Sequence, residues 1–170
     1  MKVLMSQPIV DILKEAILLE RRGRALYQKA ADHSENTAVR DFFQMLADEE
    51  DHHSRVLEKH FKTFSDHRRL ADMEAQTAGH KTSLDGALRY VIKPHIAAAG
   101  FEAAAISAAL LIEEQSVTLY SDQARQTTEP KEKALFRWLA EWEHGHLTFL
   151  VGLERDIREQ VWNDPHFWSF

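Results

Sequence analysis

Apolar side chains recur at intervals of three and four along four long stretches of this chain, the spacing that lays them on one face of an α-helix. In the first stretch, about 8–33, the stripe is Ile9, Ile12, Leu13, Ala16, Ile17, Leu26, Ala30 and Ala31, and Pro8 suits a first helical turn. A polar turn at 34–37 follows, after which Val39, Phe42, Phe43, Leu46, Val56, Leu57 and Phe61 mark a second helix to about 62. So short a turn makes the two an antiparallel hairpin. The periodicity is lost at 63–83, which reads as a connection carrying scattered charges and Gly79, and a short amphipathic piece at 84–93 precedes Pro94. A third long helix is predicted at 95–127, Ala-rich in its first half, and a fourth at 130–160 with Thr128 as its cap. The tail at 161–170 holds Trp162, Phe167, Trp168 and Phe170 and is expected to dock on the bundle or on a neighbouring subunit. The fold class that follows is all-α: a four-helix bundle of two hairpins joined by a long crossover.

The second hairpin repeats the first. Glu20 and Glu113, Tyr27 and Tyr120, Glu50 and Glu143, and His53 and His146 all stand 93 residues apart, with no gap. Ala31 and Ala124, Phe43 and Phe136, Leu46 and Leu139, Ala47 and Ala140, and Leu57 and Leu150 keep the same offset. Such a repeat predicts a pseudo-twofold axis between the hairpins, with matched residues facing each other around it.

The charged residues inside the apolar stripes carry the chemistry. Glu20 follows Ala16 by four, Glu50 follows Leu46 by four, Glu113 follows Ala109 by four and Glu143 follows Leu139 by four, so four carboxylates point into one core. Four buried carboxylates left unpaired would protonate, open the core or bind cations, and two divalent cations cancel their charge. Glu50-x-x-His53 and Glu143-x-x-His146 add an imidazole one turn from a carboxylate, about 4.5 Å along the helix axis, so both can reach one metal. Rival pairs exist, Glu49 with His52 and Glu141 with His144, but the repeat carries the first onto Trp142 and Gly145 and the second onto Asp48 and Asp51. Only two triads survive in both halves: Glu20, Glu50, His53 and Glu113, Glu143, His146. His52 and His144 should then face outward, and His33, His60, His67, His80, His95 and His166, without repeat support, are assigned to surface or loop. Tyr27 and Tyr120, each seven residues after a glutamate of the site, share its face two turns on, where a hydroxyl can support a metal-bound carboxylate.

Composition narrows the picture. A length of 170 residues suits one well-buried core, and 44% hydrophobic with 28% charged residues describes a helical globular protein rather than a disordered one. A net charge of −6 gives no footprint for nucleic acid, and Arg21, Arg22 and Arg24 read as a solvated helix face. The absence of cysteine excludes disulfides, thiolate zinc sites and iron–sulfur centres from these residues, so any metal is held by His and carboxylates. The first ten residues lack the character of a secretory signal and no segment approaches a membrane span, so a cytoplasmic protein is expected.

With its motifs Glu20-Arg-Arg-Gly-Arg-Ala-Leu-Tyr27, Leu46-Ala-Asp-Glu-Glu50-Asp-His-His53, Glu113-Glu-Gln-Ser-Val-Thr-Leu-Tyr120 and Leu139-Ala-Glu-Trp-Glu143-His-Gly-His146, the chain resembles the ferritin-like superfamily, and within it the rubrerythrin-like proteins. The resemblance implies a ferritin-like bundle and a di-iron site in which Glu50 and Glu143 bridge and Glu20 and Glu113 are terminal ligands. Manganese is also compatible with the donor set, and zinc could occupy it. Two departures stand out. There is no rubredoxin-like cysteine cluster, so an external electron-donor protein is implied. Rubrerythrins also carry an extra Glu one turn after the third-helix ligand, where this chain has Ser116, matched by Gly23; Glu114 points about 100° away. Three readings follow: an oxidoreductase acting on hydrogen peroxide or dioxygen, oxidation and handling of ferrous iron, or a structural two-metal site without turnover. A homodimer is expected, with a larger assembly the alternative for iron handling.

Overall fold

The computed structural model describes residues 8–73 and 84–169. The elements, in order, are α1 (Ile9–His33), α2 (Thr37–His67), the short α3 (Gly86–Ile92) running into a 3-10 turn (Lys93–His95), α4 (Phe101–Gln126) and α5 (Pro130–Trp162). No strand occurs among the described residues, and the architecture is an all-α, ferritin-like bundle.

The chain direction of each helix can be read from the two apolar clusters that fill the ends of the bundle. One cluster joins Ala30 of α1, Phe42 of α2, Ile106 of α4 and Leu153 of α5; the other joins Leu13, Leu57, Tyr120 and Phe136. The end of α1 therefore meets the start of α2, the start of α4 and the end of α5. Thus α1 runs antiparallel to α2 and α4, and the link from α2 to α4 has to traverse the length of the bundle. Repeat-matched residues occupy equivalent depths: Tyr27 and Tyr120, Phe43 and Phe136, Leu46 and Leu139, and Leu57 and Leu150 are all essentially inaccessible. Each cluster closes one end, and the carboxylates lie between the two.

Several boundaries differ from those the periodicity predicts. Helix α2 continues to His67, because Phe61 and Phe64 extend its stripe onto the cluster containing Leu13 and Leu70. Arg68, in the left-handed region at φ 55°, then terminates it, its N–H donating to Phe64 O at 2.8 Å. The start of α4 is delayed to Phe101, since Pro94 lies in the 3-10 turn and a further turn from Ala97 O to Gly100 N, 2.8 Å, intervenes. Thr128 is not the cap of α5. The N-cap is Glu129, whose side chain makes no cap hydrogen bond; Thr127, the C-cap of α4, braces the junction, its Oγ1 accepting from Glu129 N at 3.2 Å and donating to Glu132 Oε2 at 2.6 Å. At α2 the cap is Asn36, whose side chain accepts from Ala38 N and Val39 N at 3.0 and 3.2 Å.

The short α3 docks on α5 through Arg89. Its guanidinium lies where a Cβ on residue 152 would be, which explains Gly152 in the middle of a helix, and its Nε sits 3.6 Å from Asp156 Oδ2. The aromatic tail folds back on the end of α5. Trp168 Nε1 donates to Val161 O at 2.8 Å and packs edge-on against Trp162, while Phe167 closes one side of a groove lined by Ala98, Ala103, Ile157 and Val161. Of the crossover, residues 74–83, including Gly79 and His80, lie outside the described residues, as does Phe170 of the tail.

Candidate metal centre

Helices supply the site because the apolar stripe of each is interrupted once, at mid-height, by acids. Glu20 projects from α1, Glu50 and His53 from α2, Glu113 from α4, and Glu143 and His146 from α5; all six are at most 3% exposed. Two overlapping donor sets result. Glu20, Glu50, His53 and Glu143 bring ligand atoms within 4.8 Å of one another, and so do Glu50, Glu113, Glu143 and His146. Glu50 and Glu143 belong to both sets, so two cations held by them would be neighbours sharing two carboxylates.

Both imidazoles turn Nδ1 toward the acids. His53 Nδ1 lies 2.8 Å from Glu143 Oε1 and 3.2 Å from Glu20 Oε2. His146 Nδ1 is 3.5 Å from each of Glu50 Oε1, Glu113 Oε1 and Glu143 Oε2. The tyrosines cross between hairpins: Tyr27 donates its hydroxyl hydrogen to Glu113 Oε1, and Tyr120 donates to Glu20 Oε1. Each hairpin thereby fixes the orientation of a carboxylate on the other. Behind this layer the walls are dry, with Ala16, Leu46, Ala109 and Leu139 fully buried.

The electrostatics of the protein groups follow from this crowding. Burial, reinforced by the Glu143 and Glu20 carboxylates, pushes Glu50 well above the usual carboxylate range, and burial with Glu143 raises Glu113 to about 8. For the imidazoles burial works against the proton, but Glu143 and Glu20 outweigh it at His53, which rises to about 10. At His146 burial is likewise outweighed, by Glu113, Glu143 and Glu49, and its value stands well above the ordinary one. Burial also opposes ionisation of Glu143, yet the two imidazolium neighbours hold it well below the usual range. Burial and the adjacent carboxylates, Glu113 for Tyr27 and Glu20 for Tyr120, keep both phenols protonated far beyond neutrality. The cluster balances its charge by retaining protons, which are the equivalents a cation displaces.

A test of whether these residues suit a metal comes from their polar atoms. His146 Nδ1 and Glu113 Oε2 are buried and have no hydrogen-bond partner among the described residues, a condition that native interiors rarely tolerate. Both atoms belong to the donor set of one cation position. Four carboxylate charges and two neutral imidazoles are also neutralised by two divalent cations. The residues fit.

Compared with known families, the chain matches the Rubrerythrin family model over residues 11–154, a span that includes all six residues. This chain belongs to the rubrerythrin family. No curated protein and no solved structure matches it. Where the resemblance leads one to expect an extra Glu one turn after Glu113, Ser116 stands and is buried; at its repeat mate Gly23 a Cβ would stand 3.3 Å from Glu50 Cδ. Residue 23 is therefore small because the Glu50 carboxylate fills the space beside it. Glu114 is exposed on the outer face of α4 and takes no part.

Three other side chains differ from the reading of the sequence. Glu49 is buried, and its Oε2 lies 2.6 Å from His146 Nε2, across the ring from the acids. The repeat excluded Glu49 as half of a Glu-x-x-His pair and so hid this second capacity; its position three after Leu46 and seven after Phe42 was the available signal. His60 is fully buried within α2 rather than on the surface, since it follows His53 by seven on the inward face. His144 is exposed, but His52 is half-buried, its ring edge-on to Trp138 with centroids 6.2 Å apart.

Proposed function

We propose that this chain is a non-haem di-iron oxidoreductase that reduces hydrogen peroxide or dioxygen with electrons from an external donor protein. The observation that carries the reading is the pair of buried donor sets sharing Glu50 and Glu143, each confined within 4.8 Å. Carboxylate-rich coordination with one imidazole per position suits iron or manganese. A pair of adjacent irons supplies two-electron redox chemistry. On this reading Glu20, Glu50, His53 and Glu143 hold one ion, Glu113, Glu143, Glu50 and His146 the other.

The protein's own contributions are positional. Tyr27 and Tyr120 orient Glu113 and Glu20 by hydrogen bonds from opposite hairpins, leaving the second oxygen of each carboxylate to the centre, where Glu113 Oε2 has no partner among the described residues and Glu20 Oε2 meets His53 Nδ1 at 3.2 Å. Ala16, Leu46, Ala109 and Leu139 exclude water from the faces of the cluster above and below the acids. The displaced protons of His53 and Glu113 leave when metal enters, so the charge of the loaded core stays near neutral. No cysteine occurs in these residues, so reducing equivalents come from outside them.

Anaerobic loading with ferrous iron, then rapid mixing with peroxide or air while following ferric absorbance, tests the proposal. Oxidation of about two irons per chain, faster with peroxide, is the expected result. Absence of oxidation by either oxidant removes the redox reading and leaves a structural site; continued oxidation of excess ferrous iron favours iron handling instead.

A further inference from the structure

The ligands obey the repeat; the groups behind the two histidines do not. Residues 49 and 142 are repeat mates, 93 apart, and each stands beside a histidine of the opposite hairpin. Behind His146 is Glu49, a buried carboxylate 2.6 Å from Nε2. Behind His53 is Trp142, an indole whose ring is nearly perpendicular to the imidazole at 87° with centroids 5.5 Å apart; Trp138 adds a second, at 83° and 5.5 Å. His53 Nε2 is buried and has no hydrogen-bond partner among the described residues.

Both rings present Nδ1 to the acids, so a metal there leaves the remaining proton on Nε2 in both cases. For His146 that N–H points at an anionic acceptor, which fixes the tautomer, locks the ring plane and makes Nδ1 a stronger donor. For His53 the same nitrogen has no hydrogen-bond partner among the described residues, and two indoles stand edge-on to the ring. The two metal positions thus have matching inner ligands but unlike support.

We propose that Glu49 is a positioning residue that makes the His146 position the tighter of the two, so that metal loads there first and the His53 position fills second and exchanges more readily. The inference rests on the metal-binding part of the proposed function and not on its redox part. Loss of an outer carboxylate behind a metal-bound histidine typically weakens binding about 10–100-fold, and the two steps should differ by that order.

The test is anaerobic titration of the metal-free full chain with Co(II), following ligand-field absorbance and competition with a chelator. Two steps separated by about 10–100-fold are expected, with His146→Ala removing the tight step and His53→Ala the weak one. Glu49→Gln keeps the shape and an acceptor oxygen but removes the charge. It should weaken the first step about tenfold or more, leave the second unchanged, and alter the absorbance of the first-bound ion only. Trp142→Glu, the converse change, should tighten the second step. Two equal steps in the parent chain, or Glu49→Gln lowering both steps alike or neither, would overturn the proposal while leaving the two-metal site standing. If the parent chain binds no Co(II), both this inference and the site fail together.

Discussion

Metal binding to this centre should expel protons, and the number can be worked from the structure. His53 is raised to about 10 and Glu113 to about 8, so both hold a proton at pH 7, and neither can bind a cation while it does. Removing them at pH 7 costs on the order of a few kcal/mol, the larger part at His53, which is raised further above neutrality. His146 and Glu50, also raised by their surroundings, add to this. With at least two protons displaced, the overall two-metal association constant should rise about a hundredfold between pH 6 and pH 7, close to 2.7 kcal/mol. The same shifts set the stability of the metal-free protein, with a definite sign. His53, raised in the folded state, contributes stability that is complete below about 6.5 and is lost as pH climbs to about 10. Glu113 resists ionisation when folded, so its contribution likewise declines as pH rises from 4.5 to about 8. Metal-free and metal-loaded protein should therefore diverge: the first melts lower as pH rises, and the increase in melting temperature on adding Mn(II) grows. Calorimetric titration with Mn(II) in buffers of different ionisation enthalpy at pH 7 measures the protons released. Tight two-metal binding with no dependence on buffer enthalpy would refute the reasoning, because it would mean the ligands carry no proton to lose.

Other perturbations separate the site from the scaffold. Glu50→Ala combined with Glu143→Ala removes the two shared carboxylates and should abolish two-metal binding, read by metal analysis after equilibrium dialysis; retained binding of two ions would contradict the site assignment. Gly23→Ala should gain less in chemical denaturation of the metal-free protein than the about 0.4–1 kcal/mol of an unstrained Gly→Ala change, because the new Cβ meets Glu50 Cδ at 3.3 Å. The same change should weaken metal binding, read by chelator competition, because it displaces the Glu50 carboxylate shared by both donor sets. Tyr120→Phe deletes the donor to Glu20 and should weaken the His53 position more than the His146 position, while leaving the helical circular dichroism unchanged. Phe136→Ala opens a cavity in a fully buried cluster and should cost about 3–5 kcal/mol in urea unfolding, with the metal stoichiometry of the folded fraction intact.

The bundle was legible because its information is periodic. Leu13, Ala16, Phe43, Leu46, Leu135 and Leu139 follow helical spacing, and all of them are buried. Where a boundary depends on a single local contact the pattern is silent. The start of α5 has Glu129 rather than Thr128 at its N-cap, with Thr127 reaching across to Glu132, and α4 waits until Phe101 because a turn at Ala97–Gly100 follows Pro94. Gly152 likewise gave no hint of its reason, which lies in Arg89, a residue more than sixty positions away on another helix.

The centre itself divides along the same line. Its ligands face one another across a pseudo-twofold axis, so selection for two like ions leaves the same letters in both halves, and a shift of 93 residues exposes them. The layer outside answers to a different constraint. A histidine needs something behind its second nitrogen, but an acid and an indole are both workable, and nothing in the geometry of two metals obliges the halves to agree. Glu49 and Trp142 are the result: equivalent in register and opposite in chemistry. Comparison of the halves discards such a pair because it does not repeat, although a mismatch between residues at the edge of a symmetric site is where two otherwise equal positions acquire different properties. The same reasoning applies to Gly23 and Ser116, a second mismatched pair, where one half leaves room for Glu50 and the other places a buried hydroxyl. Symmetry in this chain identifies what binds; the departures from it identify where the two metal positions differ.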